Sequence, residues 1–485
     1  MSVDSRAAGR HGFDARWASI VLLIGCIAGG LLAYSGKAET ITSAGIVAAI
    51  SLAFARASLR KPLFLAGSIL LALEVFPPFY VDAPGDAPFY ISFLLLPLSL
   101  VVTLMRRRDL DWKADPVGKG LTAFLLGTLL SIPFAFWLSG LEVGWSSVSR
   151  WLFLIHAPVV FFGIRACSRL PPREQGRLFH VLMWGAAFSA VYGIVDFIWP
   201  IPLPHPAADQ FIWLQGAVLR RAQGVFHESS NFANFCGFFL VAAVAAYTAR
   251  RERQLGLPRG LLAIFISLFG TAVLVAFSRS TWASVLVALS LFAVCSGVMR
   301  SSRLLAVGAA LLAPLCLLWA ISPDLWEYVV NARVGRLFEI FYDPNFATSG
   351  RFDTWVRVIA ILRDHPQYLI FGIGYKTLPV TRLFHGEIVT DNGYLSLLLE
   401  TGLIGLAGFL AFSAAVLWTS FRVSRSSHEA PAFWGKVLFA IWCGELVQLL
   451  AADAYTYWRN ITIFAAMMAL MMNLSERSKS DGATV

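Results

Sequence analysis

Residues 391–420, DNGYLSLLLETGLIGLAGFLAFSAAVLWTS, decide the fold. From Asn392 onward this stretch carries one charge, Glu400, in a run longer than the roughly 20 apolar residues that cross a bilayer as a helix. The whole chain shares this character. Of 485 residues, 58% are hydrophobic and 14% charged, against roughly 25% charged in soluble domains, and the mean hydropathy is +0.68. Such a composition excludes a soluble globular protein, a disordered chain and a collagen. The six cysteines are too few and scattered for a disulfide scaffold. Cys26, Cys236, Cys295, Cys316 and Cys443 sit in apolar runs and Cys167 lies beside Arg165 and Arg169, so all six read as packing thiols.

Fourteen runs qualify as candidate spans, beginning near Trp17, Ile41, Pro62, Phe89, Gly120, Trp151, Leu178, Asn231, Gly260, Ser280, Leu304, Asn392, Val437 and Ile461. Three are short, so the expectation is an all-α polytopic membrane protein of 12–14 transmembrane helices. Alternating the runs from a cytoplasmic N-terminus gathers 26 of the 39 Lys and Arg residues on the cytoplasmic side. This accounts for the net charge of +10 without invoking nucleic acid, and it predicts both termini in the cytoplasm. The expected divisions are a cytoplasmic N-terminus over 1–16, helices over 17–199, an outer loop over 200–230, helices over 231–321, a large outer loop over 322–391, helices over 392–474 and a cytoplasmic tail over 475–485. The large loop holds eight acids and seven bases and no Gly/Ser-rich linker. Within it Phe352, Trp355, Val356, Ile359 and Leu362 recur at helical spacing behind a Ser349 cap, predicting an amphipathic helix on the membrane surface, with Arg351 and Trp355 one turn apart at headgroup level.

Three constellations carry candidate chemistry. Arg220 and Arg221, followed by Gln223, His227 and Glu228, enter a span from the outer face, where paired guanidiniums beside a helix start favour phosphate oxygens. Anchoring to lipid headgroups is the plainer alternative. Arg279, in Ser278–Trp282, stands between two apolar runs, where a charge needs a partner. That partner is a ligand anion or one of Asp196, Glu74 and Asp453. The end of the large loop collects Arg351, Trp355, His385, Glu387 and Asp391, and a histidine near carboxylates suits proton removal from a sugar hydroxyl.

A metal site is not expected. HExxH, paired CxxC and DxDxDG are absent, and Asp109 and Asp111 form a DxD beside three arginines that reads as chance. Glu74, Glu445 and Asp453 would suit a proton or cation path and keep a transporter or flippase open as a rival.

Four segments together resemble the O-antigen ligase and O-antigen or exopolysaccharide polymerase family: RAQGVFHESSNFAN from Arg221, FSRSTW from Phe277, SGRFDTW with HPQYLIFGIGY over 349–375, and DNGYLSLLLETGLIGL from Asp391. The resemblance covers about the C-terminal half. It implies a GT-C-like glycosyltransferase of the bacterial inner membrane, without metal or other cofactor, that moves undecaprenyl-diphosphate-linked glycan to a periplasmic hydroxyl. The acceptor would be another glycan or lipid A core, and the partners a flippase and a chain-length regulator. It places Arg221, Arg279 and Arg351 on the diphosphate, with Arg220, His227 and Trp355 beside it, and His385 or Asp391 on the acceptor. Many ligases of the family have histidine directly before the asparagine that opens the last-named segment. Here that position is Asp391, with His385 six residues earlier, which suits a polymerase better than a ligase.

Overall fold

The computed structural model describes residues 62–77, 90–105, 115–167, 172–199, 211–214, 217–226, 228–249, 257–297, 342–343, 345, 348, 350–381, 383–384 and 388–482. The expected spans at Trp17, Ile41 and Leu304 lie outside them, as do His227, Ser349, His385 and Glu387. In chain order the described helices are α1 (Pro62–Val75), α2 (Ser92–Met105), α3 (Pro116–Leu129), α4 (Ile132–Leu154), α5 (His156–Arg165), α6 (Pro172–Ile198), α7 (Ser229–Thr248), α8 (Arg259–Val275), α9 (Arg279–Ser296), α10 (Arg351–Asp364), α11 (Tyr368–Phe371), α12 (Gly393–Ser424), α13 (Glu429–Gln448) and α14 (Trp458–Gly482). Among the described residues six apolar segments are long enough to cross a bilayer, and three shorter apolar helices join them. The chain is an all-α, multi-pass membrane protein. A small hairpin, β1 (Phe211–Leu214) with β2 (Ala217–Arg220), interrupts the helices, pairing Phe211 with Arg220 and Leu214 with Ala217.

Two helices run through the interior. Every side chain from Phe232 to Ala246 in α7, and from Trp458 to Asn473 in α14, is buried. α12 packs on α3 through interleaved glycines: a Cβ at Gly120 would stand 2.7 Å from Phe412 Cα, and one at Gly408 2.8 Å from Ala123 O. Small residues allow this approach where no hydrophobic effect draws helices together. α4 is two helices, because Gly140 at φ 87°, ψ 178° breaks it. The chain doubles back there, so Trp151 Nε1 reaches Thr128 Oγ1 at 3.0 Å.

The expected surface helix exists as α10, but its apolar residues do not form one membrane face. Val358 and Leu362 are buried against Ile373, Leu378, Ile388 and Leu399, while Phe352, Val356 and Ile359 stay exposed. The helix is therefore apolar on two sides, and the inner side docks it onto the protein.

α12 is broken as well. At Gly402 (φ 64°, ψ −169°) the helix opens and frees two carbonyls, which accept from the 372–374 loop: Ile373 N to Leu399 O at 3.1 Å and Gly374 N to Glu400 O at 2.8 Å. Glu400 completes the joint from its side chain. One oxygen accepts from Lys376 N (2.9 Å) and Tyr455 OH (2.7 Å), and the other from Leu378 N (3.1 Å). Thus the FGIGY and LETG motifs interlock, and backbone broken at membrane depth finds its partners in protein.

Alanine in this joint meets backbone as well as strain. A Cβ at Gly402 falls 2.2 Å from Ile370 O, and one at Gly372 (φ 73°) 2.3 Å from Glu400 C. Gly402→Ala and Gly372→Ala are each expected to lower stability in detergent by about 3 kcal/mol or more. Gly297→Ala, at the left-handed cap of α9 with open space around it, should cost only about 1 kcal/mol. Thermal melts of the three variants measure the difference.

Candidate active site

The site is assembled where four connections meet. The strap after β2 is tied to the end of α8, with Ala222 N donating to Val275 O (3.1 Å) and Arg221 Nε to Ala276 O (2.9 Å). Phe277 turns the chain at φ 51°, and Arg279 opens α9 directly afterward. Arg351 opens α10 and donates from Nε to Asp391 Oδ2 at 2.8 Å. Trp355, one turn on, donates to Thr390 O at 2.8 Å. Asn392 then caps α12, its side chain accepting from Tyr394 N and Leu395 N.

Arg221 and Arg351 come into one electrostatic neighbourhood. Burial pushes the Arg221 pKa down, and the like charge of Arg351 lowers it further, while Tyr457, Glu228 and Asp391 act in the opposite sense. Each arginine is anchored through Nε, and no described residue takes the terminal nitrogens of either. A guanidinium fork with both terminal nitrogens available is the arrangement that grips phosphate oxygens in pairs. Burial, then Glu228 and Asp391, raise the pKa of Tyr457, whose hydroxyl bonds Ser230. Burial also raises Asp453, which accepts from Ser396 Oγ at 2.7 Å and is opposed by the ammonium of Lys376.

Arg220 departs from its expected role. Its Nη1 donates to Asp196 Oδ1 (2.8 Å) and to Asp196 O (3.0 Å), and the carboxylate is fully buried. The pairing once considered for Arg279 thus belongs to Arg220, because the turn of β2 aims Arg220 back at α6 and its neighbour Arg221 the other way. Three non-glycine residues among those described hold positive φ, Phe277, Lys376 and Asp391. All three border this cluster, and strain of this kind concentrates at functional sites.

Of the 453–460 segment, only Asp453 was among the residues singled out from the sequence, yet the rest of it belongs to the site. Tyr455 holds Glu400 and Thr456 faces Lys376. Arg459 donates to Val225 O and Phe76 O, both at 3.0 Å, and lies 4.5 Å from the Tyr90 ring centre. Asn460 donates to Asn231 O (3.1 Å) and Asn234 Oδ1 (2.6 Å). From Asn234 a buried chain of hydrogen bonds runs to Glu445 (2.6 Å) and Gln448 (2.8 Å), and from Gln448 to Thr281 (3.2 Å). Thr281 in turn donates to Ser278 Oγ at 3.0 Å, fixing the start of α9 that carries Arg279. The density of Asp, Tyr and Arg in a short connection between two spans was the available signal. Beneath the network, α7, α9 and α13 leave a narrow crevice lined by Asn234, Thr281, Ser284, Phe238, Val241 and Val285. Among the described residues no group of His, Cys, Asp and Glu is placed to hold a metal ion.

Residues 262–410 match a family model described as O-antigen ligase. This stretch contains Arg279, Arg351, Trp355, Asp391 and the Glu400 joint. The chain is also 24% identical over 208 residues to an O-antigen polymerase of Salmonella muenchen, an alignment covering 42% of this chain and 48% of that protein. The chain thus spans about half the length of the curated relative it matches. Both matches support the O-antigen ligase and polymerase family that the four motifs resemble.

The two carboxylates of the site carry different loads. The Arg351–Asp391 pair is 30% and 38% exposed, so Asp391→Asn should change stability by less than about 1 kcal/mol. Glu400→Ala strands two backbone N–H groups and a buried tyrosine hydroxyl, and a loss of about 3 kcal/mol or more is expected. Chemical unfolding in detergent micelles compares them directly.

Proposed function

We propose that this protein is a membrane glycosyltransferase of the O-antigen polymerase or ligase type. It moves a glycan from undecaprenyl diphosphate to an acceptor hydroxyl at the periplasmic face of the bacterial inner membrane, with both termini in the cytoplasm. The observation that carries the reading is the pair Arg221 and Arg351, each locked by Nε to protein oxygen with its terminal nitrogens directed elsewhere. When the anomeric bond to a lipid diphosphate breaks, negative charge grows on the leaving oxygens. Fixed guanidiniums at that position stabilise it without reorganising, and do so more strongly in a desolvated setting than in water. Arg279, at the start of α9, is the third cation of this grip, and the N-terminus of that helix adds its own partial positive charge.

Within this class we favour polymerisation over ligation to lipid A core. The residue before the α12 cap is Asp391 where the ligase pattern has histidine, and the relative from Salmonella muenchen is an O-antigen polymerase. On the acceptor side the candidates from the sequence are Asp391 and His385. A flippase that delivers the lipid-linked glycan and a chain-length regulator are the partners this reaction needs.

Reconstitution with lipid-linked repeat unit extracted from the host membranes tests the reading. A polymerase yields longer glycan on the same carrier, and a ligase yields glycan on lipid A core. Arg221→Ala and Arg351→Ala are expected to lose at least about 100-fold in turnover, and Arg→Lys at either position to recover little, since an ammonium cannot reproduce the two-pronged contact. Retention of activity in both alanine variants would remove the diphosphate assignment.

A further inference from the structure

Glu228 occupies a position that the mechanism above leaves unused. It is the residue before α7, in extended conformation (φ −128°, ψ 139°), and its side chain does not cap its own helix. It is half-buried. The strap that precedes it is fixed at two points, by Arg221 Nε on Ala276 O and by Arg459 Nη1 on Val225 O. The helix that follows it is fixed by Asn460 on Asn231 O. The backbone at Glu228 is therefore rigidly placed, whereas the carboxylate has no hydrogen bond or ion pair with any described residue.

The neighbouring acids are all committed. Asp391 gives Oδ2 to Arg351, Asp196 holds Arg220, Asp453 accepts from Ser396, and Glu400 is filled by three donors. The charged and titratable groups that sense Glu228 are Arg221, Tyr457, Asp453 and Tyr90, with Arg459 held against Tyr90 and Asp391 also acting on Tyr457 and Arg221. Two of these, Arg221 and Tyr457, face the two halves of the reaction: Arg221 the departing diphosphate, Tyr457 the polar hub that closes the site.

We propose that Glu228 is the general base that takes the proton from the acceptor hydroxyl, an inference that rests on the transferase reading above. The step balances as follows. A carboxylate oxygen of Glu228 accepts the hydroxyl proton as the acceptor oxygen forms its bond to the anomeric carbon. The anomeric carbon–oxygen bond to the carrier breaks, and its electron pair leaves with undecaprenyl diphosphate, whose added charge falls on the forks of Arg221 and Arg351. Water then removes the proton from Glu228 and restores the carboxylate. Glu228 follows Arg221 on the same strap, fixed at Ala276 O and at Arg459, which suits this role, because base and leaving-group clamp must address the same carbon within a hydroxyl's reach.

The test uses the full-length protein in nanodiscs, with lipid-linked glycan extracted from host membranes as substrate and undecaprenyl diphosphate alone as binding probe. Glu228→Gln keeps the size of the side chain and removes its basicity. It is expected to cut turnover by about 100-fold or more, to abolish the acid limb of the pH–rate profile, and to leave the thermal shift produced by undecaprenyl diphosphate as in the unmodified protein. Glu228→Asp should recover part of the rate with the acid limb restored. Turnover within tenfold of the unmodified protein in Glu228→Gln would overturn the proposal, as would loss of carrier binding in step with turnover, which would make Glu228 a support for Arg221. Unmodified protein that binds carrier yet transfers no glycan would overturn the transferase reading itself, and this inference with it.

Discussion

Inside a bilayer no water is at hand to satisfy a peptide group, so every break in a helix must be answered by another part of the protein. That constraint shapes this molecule around Glu400. The helix α12 opens at Gly402 where the 372–374 loop enters it, and the carboxylate two residues before the break supplies what that loop's N–H groups lack. A neutral side chain could not accept three hydrogen bonds there in the same geometry. The same joint carries Lys376 and, through Leu399 and Ile388, the inner face of α10. Arg351 is thereby positioned by a structure whose keystone lies well along the chain from it.

The arginines illustrate a second economy. A guanidinium near a membrane interface is costly when bare and inert when fully paired. Arg220 is of the second kind, closed against Asp196. Arg459 is buried between two carbonyl oxygens and aromatic rings, which offset its desolvation. Arg221 and Arg351 lie between these extremes, Arg221 held at Nε by the Ala276 carbonyl and Arg351 at Nε by the Asp391 carboxylate, so their orientation is fixed while no described residue takes their terminal nitrogens. Partial satisfaction of this sort is the condition for binding an anion tightly from water, because the ligand supplies what the protein has withheld.

Much of the fold was legible in the sequence, because a bilayer imposes a plain rule on length and charge. The helix starts expected at Pro62, Gly260, Ser280 and Asn392 fall within a residue of those observed. The turn at Gly140 was less visible, since Glu142 and Arg150 made the following helix look short, and Arg150 is in fact occupied by Lys376 O at 2.8 Å. For α10 the residues were right and the faces wrong: Val358, omitted from the apolar stripe, is the one fully buried, because the helix packs onto a loop that periodicity cannot foresee. The glycines of FGIGY and LETG could be read as motif but not as an interlock, which requires two segments separated in sequence to be seen together. Arg220 and Arg221 are indistinguishable as neighbours in a string, and only the direction of the hairpin separates the one paired with Asp196 from the one held on Ala276 O.

The buried chain from Asn460 through Asn234 and Gln448 to Thr281 argues for a site that is built rather than incidental. Membrane hydrogen bonds of this kind contribute modestly, on average about 0.6 kcal/mol each, so stability alone gives little reason to place four polar residues across α14, α7, α13 and α9. Their effect is geometric. They tie the first turn of α9, and with it Arg279, to the same segment that places Arg459 and the strap bearing Arg221. Cations contributed by separate helices can stabilise a developing charge only if their spacing survives the moment it appears, since a charge that must first draw its partners together gains little from them. A buried polar lattice that joins α14, α7, α13 and α9 is the kind of support that requirement calls for.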